Sequence, residues 1–173
     1  MKEQIGLRKL RISDDKRLLS LFADKKVLRN LDTNSKPDEI TLSQERVFLK
    51  ESIKNYRSKK PTKYDLGIIA GNELIGVIGT PRGIDYENLN VEIGYWIGEE
   101  YWGQGITTEA VRLFTRLLFD KFKLVRIFAC PYTNNRASQK VLEKNGYVME
   151  GVRRKVFRKG NKFYDDVIYA RVR

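Results

Sequence analysis

The sequence contains no histidine. That removes the usual general base near neutral pH and the commonest metal ligand, and with them the Ser-His and Cys-His catalytic arrangements. Catalysis, if there is any, must run on carboxylates, hydroxyls, amides or backbone groups. Cysteine is almost absent as well: Cys130 stands alone, so there is no disulfide framework, no paired-cysteine redox motif and no cysteine-rich zinc site. No stretch approaches the roughly 20 apolar residues that span a bilayer. The opening MKEQIGLRKL has none of the apolar centre of a secretory signal. These absences lead us to expect one domain over residues 1–173, metal-free, off the membrane and in the reducing cytoplasm, with monomer and homodimer both open.

Positive charge is what the sequence has in excess. Lys and Arg number 34 against 22 Asp and Glu, a formal net charge of +12. Such a surface attracts polyanions, whether nucleic acid, a phosphorylated cofactor or an acidic protein. It also simply keeps a protein soluble.

Hydropathy gives the order of elements. Leu7, Leu10 and Ile12 suggest an opening strand, and Ser13-Asp14-Asp15 a helix start ahead of Leu18, Leu21 and Phe22. Residues 25–40 are polar, contain Pro37 and read as a connection to a second helix carrying Leu42, Leu49, Ile53 and Tyr56 on one stripe. YDLGIIA and LIGVIGT flank Gly71-Asn72-Glu73 and form a hairpin, after which NVEIGYWI at 90–97 alternates as a strand. Ile106, Ala110, Leu113, Phe114, Leu117 and Leu118 fill every step of a one-face helix template. LVRIFAC at 124–130 is a buried strand, and Ala137, Val141 and Leu142 mark a further helix stopped at Asn145-Gly146. Two last strands, near 147–157 and 162–172, turn at Lys159-Gly160-Asn161. This is an α/β chain, β α α β β β α β α β β, built around one mixed sheet.

Chemistry concentrates where strand 90–97 passes through YWGQG into the strongest helix. The first turn of a helix carries unpartnered N–H groups and the positive end of the macrodipole, so the junction is an anion site, and Gly103 and Gly105 admit a close backbone approach. A dinucleotide fingerprint is excluded because Thr108 stands where the third glycine belongs, and no Lys-Ser/Thr pair follows as in triphosphate loops.

EIGYWIGEEYWGQGITTEA resembles the acetyl-CoA pyrophosphate loop of the GCN5-related N-acetyltransferase (GNAT) superfamily, and NNRASQKVLEKNGYVMEGVRRK resembles the helix and strand that follow it there. Both blocks, with KGNKFYDDVIYARV, are similar to the branch that acetylates amino termini of ribosomal proteins. The likeness is close over residues 90–172 and limited to element order before them. It implies the GNAT acyl-CoA N-acyltransferase fold, a twisted mixed sheet of about seven strands flanked by about four helices, with acetyl-CoA as cosubstrate. The family's Q/R-x-x-G-x-G/A pattern falls on Trp102, Gly103, Gln104, Gly105, Ile106 and Thr107. Trp102 and Thr107 depart from it, and Thr107 either adds a hydroxyl donor or pushes the pyrophosphate outward. The resemblance further implies that amides from Gly103 to Thr108 hold the pyrophosphate, that Tyr95, Trp96 and Ile97 run beside the pantetheine arm, and that Asn135 and Ser138 lie at the thioester end. Arg136 and Lys140, one turn apart, are placed for the ribose phosphate.

An α-amino group near pKa 8 is neutral roughly a tenth of the time at pH 7, a lysine near 10.4 only about once in a few thousand molecules. One carboxylate acting through water therefore suffices as base for an amino terminus. Glu92 is the candidate, sharing a strand face with Gly94 and Trp96 while Val91, Ile93 and Tyr95 share the other. A backbone N–H near Tyr95 is placed to meet the developing oxyanion. The tyrosine that several relatives use to return a proton to sulfur is Leu142 here, so the role passes to Ser138, with Tyr147 a core aromatic. Cys130 has no base beside it in sequence and reads as a small buried hydrophobe rather than an acyl carrier.

Rival readings remain. The same fold could acetylate a small polycation, a polyamine or aminoglycoside, if Asp85, Glu87, Glu99 and Glu100 supplied an acidic pocket against the overall charge. The basic run RRKVFRKGNK invites an acidic protein or ribosomal RNA, and with nine tyrosines a non-catalytic RNA-binding module is the reading from another class.

Overall fold

The computed structural model of the chain describes residues 4–173. Strand β1 (Ile5–Arg8) leads through a 3-10 turn into helix α1 (Asp15–Phe22), a short helix α2 (Lys25–Arg29) and helix α3 (Leu42–Asn55). Strands β2 (Leu66–Ala70), β3 (Glu73–Gly79), β4 (Ile84–Asp85), β5 (Asn90–Glu92) and β6 (Gly94–Ile97) follow. Helix α4 (Ile106–Phe122), strand β7 (Arg126–Ala129), helix α5 (Arg136–Lys144) and the long hairpin β8 (Val148–Lys159) and β9 (Lys162–Val172) complete the order.

Two points differ from the sequence expectation. The polar stretch taken as connection holds α2, started by Asp24, whose carboxylate accepts from the N–H groups of Lys26 and Val27. The run 90–97 is two strands in two sheets, not one strand in one. β1, β2, β3 and β6 form an antiparallel sheet in the order β1-β2-β3-β6, and the second sheet runs β4-β5-β7-β9-β8, with β5 and β7 parallel. With the two-residue β4 this gives nine strands and five α-helices among the described residues.

Helix α4 joins the two sheets. Its buried stripe of Ile106, Ala110, Phe114 and Leu118 packs in one cluster with Ile68, Ile75 and Ile78 of the first sheet and Val91, Ile127 and Val167 of the second. The opposite face of the first sheet takes Leu18 and Leu49 of α1 and α3 against Leu74 and Val77. Phe114 is wholly buried at the seam. Phe114→Ala should cost about 3–5 kcal/mol, read as a lower urea midpoint with an unchanged slope.

Candidate functional site

The cleft begins at Ile93. β5 keeps parallel register with β7 as far as Glu92 opposite Phe128, and the N–H of Ile93 donates to the carbonyl of Phe128 at 2.8 Å. Beyond it the chain changes partner. β6 pairs with β3, Gly94 opposite Gly79, while β7 continues along β9, so the edges of β6 and β7 part. The N–H of Gly98 goes to Ile75 on the β3 side. Alternation along an antiparallel strand then turns the N–H groups of Tyr95 and Ile97 into the gap. The face pattern survives the break: Ile93, Tyr95 and Ile97 belong with the α4 cluster, while Trp96 lies on the other side against Phe22, ring centroids 5.0 Å apart.

The loop ahead of α4 supplies a second wall. Gly103 and Gly105 have φ of +74° and +80°, a left-handed backbone that favours glycine, and this geometry is what requires them. Among the described residues no backbone N–H from Gly103 to Thr108 donates to a carbonyl or side chain of the protein. Six consecutive donors at a helix start make a nest for an anion. Trp102 fixes the loop by donating its indole N–H to the carbonyl of Ile97 at 3.0 Å. Asn145 braces the helix start, its amide donating to the carbonyl of Thr108 at 3.1 Å.

The third wall is the start of α5, where Asn135 accepts from the N–H of Ser138 at 3.2 Å. Ser138 Oγ lies 2.8 Å from the Tyr95 hydroxyl. Burial raises the Tyr95 pKa far above its ordinary value, so it stays a neutral donor. Tyr95→Phe should lose about 1 kcal/mol of stability and slow turnover through a less fixed Ser138, with coenzyme A affinity kept. Unaltered turnover would detach this hydroxyl pair from the reaction.

A cavity of about 700 Å³ runs between these walls. Its ends differ in charge. Lys140 and Lys144 line the end beside the loop, whereas Asp32, Glu51, Asp65 and Glu92 line the other, with Lys63 among them. Tyr95, Trp96, Ile97, Trp102, Gly103, Gly105, Ile106, Thr107, Thr108, Asn135 and Ser138 all border it. Gln104 and Arg136 do not. The Gln104 amide donates to the carbonyl of Glu100 at 2.9 Å, and the Arg136 guanidinium donates to Gln139 Oε1 at 2.6 Å, which turns both side chains elsewhere. Lys144, four residues beyond Lys140 and so on the same helix face, borders the cavity where Arg136 does not. Asp85, Glu87, Glu99 and Glu100 are not in the wall. Asp85 is occupied in its own turn with Glu87 and Asn88, and Glu99 pairs with Lys26.

Glu92 is half-buried, with Arg82 Nε 2.7 Å from its Oε2 and Arg82 in turn 3.8 Å from Asp32. Burial raises its pKa above the ordinary carboxylate value, and the charges of Arg82 and Arg153 oppose this. Cys130 also lines the cavity, but burial pushes its thiol up to about 12, so it is uncharged and a poor nucleophile at neutral pH. Tyr147 lies outside the cavity, bonded to Thr115 at 2.7 Å. No group of metal-ligating side chains, and no helix long and apolar enough to cross a membrane, occurs among the described residues.

A strand that leaves its neighbour beside an amide-lined helix start, at the junction of a mixed α/β fold, is the cleft of an acyl-CoA N-acyltransferase. The comparisons agree. The acetyltransferase (GNAT) domain model matches residues 4–148, and the chain belongs to that family. The ribosomal-protein-serine acetyltransferase of Escherichia coli is 36% identical over 107 residues, which are 61% of this chain and 58% of that protein. The likeness thus spans little more than half of either. An uncharacterized N-acetyltransferase, p20, of Bacillus licheniformis is 28% identical over 88% of this chain and 83% of its own length. The crystal structure of spermidine N-acetyltransferase from Vibrio cholerae, in complex with CoA and spermine, superposes with a TM-score of 0.84 over 98% of this chain and 95% of that one. At 17% identity that likeness speaks for the fold alone.

Proposed function

We propose that the chain transfers the acetyl group of acetyl-CoA to a primary amine, and that the acceptor is the α-amino group of a protein, a ribosomal one by its likeness to the Escherichia coli enzyme. The observation that carries this is the parting of β6 and β7 at Ile93, which leaves backbone donors facing a cavity with two lysines at one end and four carboxylates, with Lys63 among them, at the other. The residues fit the cosubstrate: the amides from Gly103 to Thr108 suit a pyrophosphate, Lys140 and Lys144 a further phosphate, and the free edge of β6 an extended amide-bearing arm.

Acetyl-CoA supplies an acetyl thioester, and the chain's groups manage charge around it. Glu92 takes a proton from the acceptor ammonium through water, which frees the nitrogen lone pair to form the N–C bond. The N–H of Tyr95 donates to the carbonyl oxygen as negative charge gathers there. Ser138, held by Tyr95, passes a proton to the sulfur as the C–S bond breaks and is resupplied through water by the second proton that leaves the nitrogen, and an ordinary thiol pKa near 8.5 makes the thiolate a fair leaving group. A ribosomal acceptor places the chain in the cytoplasm.

The test sets amino-terminal peptides, spermidine and an aminoglycoside side by side, with thiol release as the readout. Peptide turnover is expected. Turnover of the small amines alone would replace the acceptor and keep the transferase, whereas salt-dependent RNA binding with no affinity for acetyl-CoA would overturn the whole reading.

A further inference from the structure

Asp65 is anomalous for its surroundings. In a chain of 34 Lys and Arg, four other deep-set carboxylates each touch an arginine, Asp14 with Arg8, Asp15 with Arg46, Glu92 with Arg82 and Asp166 with Arg153; buried Glu45 has none among the described residues, but it lies away from the cavity. Asp65 lines the acceptor end of the cavity, yet among the described residues its polar contacts are the backbone N–H of Thr80 and the hydroxyl of Ser52 at 3.4 Å. The nearest charges are Lys63, which attracts, and Glu51, which repels. Burial pushes its carboxyl above the ordinary carboxylate value, so a cation arriving beside it would be favoured by relieving that cost.

The sheet beneath has been kept bare for this side chain. Leu66 pairs with Ile78, which sets Asp65, one residue earlier, opposite Gly79, and Gly79 pairs with Gly94. A Cβ on Gly79 would lie 1.9 Å from Asp65 Oδ1, so only glycine lets the carboxylate rest there. Residues opposite one another in an antiparallel pair share a face, and Gly94 shares its face with Glu92. The two carboxylates therefore stand on either side of a floor of two glycines. Strand spacing and rise put their backbone positions on the order of 10 Å apart.

We propose that Asp65 is a specificity-determining residue that binds a second positive charge on the acceptor, a basic group a short spacer away from the amine that Glu92 serves. This rests on the proposed acetyl transfer and narrows its acceptor to an amino terminus with a lysine or arginine side chain at its second residue. A single charge-assisted contact in a partly buried site is worth about tenfold in affinity or more.

The experiment compares peptides identical except for lysine or norleucine at the second position, and in parallel 1,4-diaminobutane with butylamine. For the wild type, kcat/KM should favour the doubly charged member at least about tenfold, through KM. Asp65→Asn, which keeps the shape and the bonds to Thr80 and Ser52, should bring the ratio near one with coenzyme A affinity and melting temperature retained. Gly79→Ala, which drives the carboxylate off its seat, should do the same. A ratio near one in the wild type, or a ratio that survives Asp65→Asn, overturns the proposal. A preference for diamines over peptides removes the protein amino terminus as acceptor and leaves the role of Asp65 standing.

Discussion

Gly105→Glu should abolish coenzyme A binding in a protein that still folds. The substitution places a carboxylate among the six unpartnered N–H groups between Gly103 and Thr108, where a pyrophosphate would otherwise take the same donors. A Cβ at Gly105 meets nothing within 4 Å, so the free protein has room for the side chain. The φ of +80° adds about 1–2 kcal/mol of backbone strain. Gly105→Ala carries that strain without the charge and separates the two effects. The expected result is at least about a hundredfold loss of affinity, roughly 2.7 kcal/mol, for the glutamate variant and a much smaller loss for alanine. Calorimetric titration with coenzyme A decides it, and an unchanged dissociation constant in Gly105→Glu would end the assignment of the loop.

Glu92→Gln should lower kcat by about a hundred- to ten-thousandfold, the usual range for a positioned general base. The pH dependence gives the sharper test. Because burial raises the Glu92 pKa, the group keeps its proton to a higher pH than a free glutamate and becomes a base as the pH climbs through that raised value. Wild-type turnover therefore gains from two deprotonations, that of Glu92 and that of the amine. Glutamine retains only the second, so its deficit should widen as the pH climbs through the raised Glu92 value and narrow below it, where the wild-type carboxyl is itself protonated. Arg82 opposes the upward shift, so Arg82→Gln should move the acidic limb of the wild-type profile to higher pH. A profile for Glu92→Gln with the wild-type form and height would strike Glu92 from the reaction.

The sequence disclosed most where a local rule decides the structure. α4 was readable because its apolar stripe repeats without a gap over seventeen residues, and the loop before it because a left-handed backbone at Gly103 and Gly105 excludes most other residues. α2 was missed because five residues are too few to show a period. The break at Ile93 was invisible for another reason. Side chains go on alternating whichever strand receives the hydrogen bonds, so Val91 to Ile97 look alike in one sheet or two. Among the candidate residues, the loop wall of the cavity followed from one contiguous block, residues 102–108. The acceptor end did not, since Glu51, Asp65 and Glu92 come from a helix, the lead into a strand and a distant strand that only the tertiary fold brings together. The side chains of Arg136 and Gln104, which turn away from the cavity, mark the remaining gap, because spacing gives the face of a helix or turn and not the competing partner that captures a long side chain.

The contact between Lys159 and α2 bears on how the chain is assembled. The Lys159 ammonium donates to the carbonyls of Leu28 at 3.0 Å and Arg29 at 2.9 Å, and it lies over the rings of Tyr132, Phe157 and Tyr164. Asn30 and Leu31, the next residues along, line the cavity. During synthesis that wall waits for a residue 131 positions beyond Leu28, whereas the side chain that braces the start of α4, Asn145, follows Thr108 by 37. The last hairpin to be made thus clasps one of the first helices, and closure of that wall belongs to the late stages of assembly.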